Sequence, residues 1–176
     1  MCRNIKLRIV RHGFTMIELI VVVAIIAIAA AIVVPIASSA GSMQLRAAVT
    51  MVAADLEYAK SMSISRGQRY SVVFDEANES YQITNEAGAT ISHPIKGPSS
   101  LYAVDFRNDS RLSAVEIVDA SFDGASTVSF DYLGIPYSVT ASPAALLNLG
   151  VITLRAGGVT RTVRVEPVTG YITVAN

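Results

Sequence analysis

The sequence predicts an α+β protein, with one long N-terminal helix packed on an antiparallel β-sheet domain. Three observations carry this. Sixteen consecutive apolar residues, Leu19 to Val34, can satisfy their backbone in an apolar phase only as a helix. From Met43 to Arg66 the apolar positions recur at a helical period. Beyond Gly67 the period changes to two, in short runs separated by turn residues.

The chain's formal charge of zero hides an asymmetry. Residues 1–13 hold Arg3, Lys6, Arg8 and Arg11 and no acid, while the remainder has ten basic against fourteen acidic side chains. An acidic body argues against broad attraction to nucleic acid. Cys2 is the only cysteine, so no disulfide, zinc cluster or thiol chemistry can be built on it alone.

Phe14–Val34 would span about 31 Å as a helix at ~1.5 Å per residue, close to a hydrocarbon core of about 30 Å. Ten of the sixteen apolar residues are Val or Ile, strand formers in water. In lipid the helix wins, because an unpaired strand leaves its backbone polar groups unsatisfied. Its Leu, Ile and Val residues favour insertion by roughly 3–7 kcal/mol. Charge confined to the head then places residues 1–13 in the cytoplasm and the rest outside. Glu18 is the anomaly, since a carboxylate at a membrane helix centre costs on the order of 3 kcal/mol. A secretory signal, cut after Ser38-Ser39-Ala40, has a shorter core of about 7–15 residues and no such acid. A plain signal anchor would let Glu18 reach back to the headgroups.

Pro35 lacks the amide that continues a helical ladder, and SSAGS at 38–42 weakens helix further, so a bend is expected near Pro35–Gly41. Leu45, Val49, Val52, Leu56 and Ala59 then make a stripe for a folded domain. Asp55, Glu57, Lys60 and Arg66 fall off that stripe, and Gly67 stops the helix. The β-like runs are 70–75 and 80–84, a hairpin about EANE, then 101–106, 114–118 and 127–132. Runs 151–156 and 160–167 form a second hairpin about Gly157-Gly158, and 170–175 is the last strand.

The stretch GFTMIELIVVVAIIAIAAAIVVP resembles the leader and N-terminal helix of type IV prepilins: a short basic leader, Gly13, Phe14, Glu18 at the fifth mature position, and Pro35 well along the helix. The resemblance implies that a prepilin peptidase/methyltransferase of the inner membrane cuts between Gly13 and Phe14 and methylates the new amine of Phe14. It also gives Glu18 a role. Paired with the Phe14 ammonium of a neighbouring subunit, its charge cost is offset and the register of one helix against the next is fixed.

The outer half resembles the GspH/FimT family, the H-type minor pseudopilins of type II secretion and the related FimT minor pilins. It does so through AADLEYAKSMSISRGQRYSVVF (53–74), VSFDYLGIP (128–136) and VRVEPVTGYITV (163–174). The implied organisation is a removed leader (1–13), a transmembrane and filament-core helix (14–34), a helix continuation with its bend (35–66), and a periplasmic type IV pilin-like β-sheet domain (67–176). The implied function is a minor pseudopilin in a periplasmic filament that supports protein export, with other pseudopilins or pilins as partners. The alternative is a FimT-like minor pilin for pilus biogenesis, DNA uptake or adhesion.

Catalytic chemistry finds little support, and no cofactor or metal is expected. The only histidines are His12 and His93, and no nucleophile elbow, zinc-protease motif or phosphate loop occurs. His93, in ISHPIKGPSS, reads as a solvated loop residue. Asp105, Asn108 and Asp109 could offer oxygens to calcium, but Arg107 and Arg111 among them favour an exposed turn. Arg155, Arg161 and Arg164 would suit nucleic acid, yet period two puts Arg161 with Val163 and Val165 and Arg164 on the opposite face. Tyr171 alone is a poor stacking platform.

Overall fold

The computed structural model describes residues 14–139 and 145–175, with side chains throughout except for 32–40. The chain divides into two units, the first ending at Ala37 and the second beginning at Ser38. Helix α1 is assigned without interruption over Met16–Arg66. The bend expected near Pro35–Gly41 falls largely on side chains outside the described residues.

In the first unit the apolar side chains of α1 are exposed from Met16 to Ile28. Among the described residues no helix is long and apolar enough to cross a membrane. The apolar run continues through 32–34, whose side chains lie outside them.

The second unit carries twelve strands: β1 Tyr70–Asp75, β2 Ser80–Asn85, β3 Ser92–His93, β4 Gly97–Leu101, β5 Ala103–Asp105, β6 Glu116–Phe122, β7 Thr127–Phe130, β8 Pro136–Ser138, β9 Ala145–Leu146, β10 Gly150–Ala156, β11 Val159–Val165 and β12 Ile172–Ala175. All pair antiparallel, but in two principal sheets rather than one. The first has the order β5-β2-β1-β7-β8-β9, the second β12-β11-β10-β6, and β3 and β4 form a separate ribbon.

The division arises between β6 and β7. The two are consecutive but not paired with each other: an isolated bridge joins Phe122 to Ala125, which precedes β7, and β6 pairs instead with β10. Asp123, in the left-handed region at φ 54°, turns the chain from one sheet to the other. Its carboxylate accepts the amides of Asn148 and Leu149, both at 2.9 Å. The free edge of β6 is occupied from the β1–β2 turn: Glu79 accepts the Ile117 amide, and Glu76 accepts that of Ala120 at 2.8 Å. Two carboxylates thus join the sheets and blunt an edge open to foreign strands.

The helical stripe behaves as its spacing predicts. Leu45, Ala48, Val49, Val52, Leu56 and Ala59 are buried, sharing one core with Val72, Phe74, Ile83, Val128 and Phe130 of the first sheet and Ile117, Phe122, Ile152, Leu154 and Val163 of the second. Phe74 stacks on Phe122 across the seam at 5.8 Å between ring centroids. Gly41 has a use beyond weakening helix. A Cβ there would lie 3.3 Å from the Gly157 amide nitrogen, so glycine admits the β10–β11 turn close to the helix backbone.

Several boundaries differ from the periodic reading. The run 101–106 is cut at Tyr102, whose side chain turns into the core between β4 and β5. The run 114–118 starts later and extends to Phe122. Strand β7 ends at Phe130 because Asp131 Oδ1 accepts the amides of Leu133 and Ile135 and closes a turn. Residues 91–100, expected as a loop, contain β3 and all of β4 but Leu101, and the three- and two-residue strands β8 and β9 carry too little pattern to be read from sequence.

The three stretches that carry the family resemblance meet at one pole of the second unit. Lys60 Nζ donates to the Gly170 carbonyl at 2.9 Å. A Cβ on Gly134 would lie 2.9 Å from Ile64 Cδ1, and one on Gly170 2.7 Å from the Gly134 carbonyl oxygen. Beside them Val168 is exposed at φ 61°, a conformation that costs a β-branched residue about 1–2 kcal/mol. Gly170→Ala, with φ +58° and that backbone clash, should therefore lower unfolding stability by about 2 kcal/mol or more, read as a lower urea midpoint. Val168→Asn should raise it by about 1 kcal/mol, since asparagine tolerates the left-handed region.

Candidate functional site: the helix start and the buried acid of the outer domain

The residues singled out for processing and assembly lie at the start of α1. Gly13 is outside the described residues. Phe14 precedes the helix and is 78% exposed. Glu18 is exposed in the first turn. Its amide donates to Thr15 Oγ1 at 3.3 Å, and the Leu19 amide donates to the Thr15 carbonyl at 3.2 Å. Phe14 and Glu18 therefore sit four residues apart, both unburied, at the head of a helix whose apolar side chains are exposed from Met16 to Ile28.

In the second unit the structure brings together a cluster that periodicity missed. Asp55 is only 8% exposed rather than off the buried stripe. Its carboxylate accepts the hydroxyl of Tyr81 at 2.6 Å and that of Tyr102 at 2.8 Å. Tyr102 stacks with Tyr58 at 5.4 Å and with His93 at 4.6 Å between centroids. Burial raises the Asp55 carboxyl above its ordinary value of 3.8, while the two tyrosine hydrogen bonds and nearby His93 pull it down less strongly. Burial, with Asp55 alongside, pushes both tyrosines upward. The signal for Asp55 was weak: one acid in the interior of a helix gives no warning that two tyrosines distant in sequence will meet it.

His93 is also corrected. It is half-buried in β3 against Tyr102 rather than solvated in a loop, and its Nδ1 accepts the amides of Ile95 and Lys96 at 3.2 and 3.3 Å. In the DFRNDS segment the oxygens serve the turn itself. Asp105 accepts the Arg107 and Asn108 amides and the Asn108 side chain. Hydrogen bonds from the Arg111 guanidinium and amide hold the Asp109 carboxyl down to about 2. Among the described residues no group of three or more His, Cys, Asp or Glu could hold a metal ion. The arginines are dispersed: Arg155 pairs with Glu116 at 2.7 Å, Arg161 is half-buried and Arg164 is exposed. Cys2 and His12 lie outside the described residues.

A long N-terminal helix packed on antiparallel sheets, with an apolar leading segment and an acid in its first turn, defines a type IV pilin-like protein. Residues 9–34 match the prokaryotic N-terminal methylation motif, and residues 48–169 match the family described as type II transport protein GspH. The chain belongs to the GspH family, whose members are structural pilin and pseudopilin subunits. Among solved structures it is similar to the minor pseudopilin EpsH of the type 2 secretion system of Vibrio cholerae. That match has 11% identity over 74% of this chain and 95% of the other, with a TM-score of 0.52, and shows the shared fold. The type IV minor pilin FimU of Pseudomonas aeruginosa matches at 17% identity over 75% of this chain and 88% of the other, with a TM-score of 0.49. No curated protein matches the chain.

Because the folded state holds the Asp55 proton more tightly than the unfolded chain, this group favours folding below pH 3.8 and loses that contribution as pH rises through its raised folded value. Asp55→Asn should flatten that part of the stability profile, measured as urea midpoints of the full chain in detergent from pH 3 to pH 7. Tyr81→Phe, leaving one carboxylate oxygen without its donor, should cost about 1–3 kcal/mol near neutrality in the same assay.

Proposed function

We propose that the chain is a minor pseudopilin of a type II secretion pseudopilus, cut between Gly13 and Phe14 by a prepilin peptidase that then methylates Phe14. Before assembly it is held in the inner membrane as a single span over 14–34, with the head cytoplasmic and residues 67–176 periplasmic. The span ends at Pro35, where a helix bend is expected. After assembly the same helix forms filament core with other pseudopilins, and the filament supports protein export. The chain acts by assembly rather than by catalysis.

The observation that carries this reading is the nearness of exposed Glu18 to Phe14, whose amine the proposed cut would free. Phe14 and Glu18 lie four residues apart, exposed, at the head of a helix whose apolar side chains are exposed from Met16 to Ile28. In an apolar phase each charge is costly alone, and a staggered neighbour satisfies both at one axial register. The pattern of arginines favours export over the alternative of a DNA-uptake minor pilin. Arg155 is neutralised by Glu116 and Arg161 is half-buried, so a backbone-tracking groove has little to draw on.

The first test is the intact mass and N-terminal residue of the membrane-extracted protein, expected to begin at N-methyl-phenylalanine 14. A start at Gly41, or an uncut Met1, would overturn the processing reading. Glu18→Ala should still insert and be cut, yet its incorporation into filaments should fall tenfold or more, as expected when a buried pair worth about 3 kcal/mol loses one partner. Normal incorporation would remove Glu18 from assembly. Salt-sensitive retention of DNA by the purified chain would favour the pilin alternative.

A further inference from the structure

Thr15 is the residue whose side chain sets where α1 begins. Its hydroxyl oxygen accepts the Glu18 amide at 3.3 Å, and its carbonyl accepts the Leu19 amide at 3.2 Å. The helix starts at Met16, so Thr15 stands at the N-cap and Glu18 at the third helical position. Thr15-Met16-Ile17-Glu18 also has the spacing of a capping box.

The consequence is topological. Were the helix one turn longer at this end, the Glu18 amide would bond the carbonyl four residues back, that of Phe14, and the Ile17 amide would bond that of Gly13. The Thr15 hydroxyl takes the Glu18 donor instead, which leaves the Phe14 carbonyl out of the ladder. Removing that hydroxyl strands an amide at the edge of an apolar phase, where an unsatisfied donor costs several kcal/mol. The nearest replacement acceptor is the Phe14 carbonyl, so the helix would grow toward the leader. A peptide bond drawn into a helix has its carbonyl engaged and its flanks covered, and proteolysis favours exposed, non-helical chain.

We infer that Thr15 is a positioning residue for processing: by capping α1 it keeps Phe14, the residue before which the chain is cut, outside the helix and exposed. The inference rests on the reading that the cut falls between these two residues. Thr15 touches no reacting atom in this scheme and acts through the position of the helix start.

The test uses the full chain in detergent with a prepilin peptidase, comparing wild type with Thr15→Val, Thr15→Ser and Thr15→Asn. The readout is the initial rate at which the product beginning at Phe14 appears by mass spectrometry. Valine keeps the shape and removes the acceptor, and should slow processing about fivefold. Serine and asparagine restore a cap and should remain within about twofold of wild type. Valine at the wild-type rate would overturn the inference. So would asparagine as slow as valine, because the peptidase would then be reading threonine itself. Amide hydrogen exchange across Phe14–Leu19 in the uncut chain gives an independent reading. In Thr15→Val, the amide of Ile17 should gain protection, and an unchanged boundary would overturn the capping argument. A wild-type chain that yields no product beginning at Phe14 would overturn the processing reading itself, and with it any role for Thr15 in processing.

Discussion

One apolar face of α1, from Leu45 to Ala59, is the constraint on which the outer domain depends. Neither sheet is sufficient by itself: each presents a row of buried side chains that needs a cover, and the helix stripe shares one core with both. The seam between the sheets is then free to form without continuous strand pairing, closed by Phe74 against Phe122 and by two glutamates on the edge of β6. A disruption of the stripe would therefore be felt in both sheets at once, as expected where packing is close and strain is transmitted.

The cost of this arrangement is concentrated at Asp55. An acid at the margin of a buried face loses hydration, and only two well-placed hydroxyls make it tolerable. Tyr81 comes from β2 and Tyr102 from the junction between β4 and β5, so the carboxylate ties the helix to two separate points of the chain. The rings stacked on Tyr102, Tyr58 and His93, extend the cluster to the β3–β4 ribbon, which forms although the composition of residues 91–100 is that of a loop. The family signature has a similar explanation. Its three stretches are far apart in sequence and meet where Lys60, Gly134 and Gly170 touch, so each constrains the others through backbone contact.

The leading segment follows a different logic. It has the composition of a core element, yet its apolar side chains are exposed from Met16 to Ile28, and its polar groups are gathered at one end. A cap at Thr15 and an acid at Glu18 occupy the same turn, so the residues that fix the start of the helix are neighbours of those proposed to bind the next subunit. Processing and assembly would then share one short structure, whose register is set before any partner is present.

The sequence by itself determined the features that depend on local pattern. The apolar run, the stripe at 45–59, the β1–β2 and β10–β11 hairpins and the motif from Gly13 to Glu18 are all periodicities or short-range spacings, and each is legible because its physical cause lies within a few residues. Tertiary structure alone decided what depends on distant partners: that β6 pairs with β10 and splits one expected sheet into two, that Asp55 is buried, and that His93 stacks rather than standing in solvent. It also decided why Gly41, Gly134 and Gly170 are glycines, since what each one admits is far away in sequence: the backbone of Gly157 at Gly41 and of Gly134 at Gly170, and the Ile64 side chain at Gly134. Local spacing fixes which face a residue presents, but the group that meets that face is set by long-range pairing, and no window of the sequence contains it.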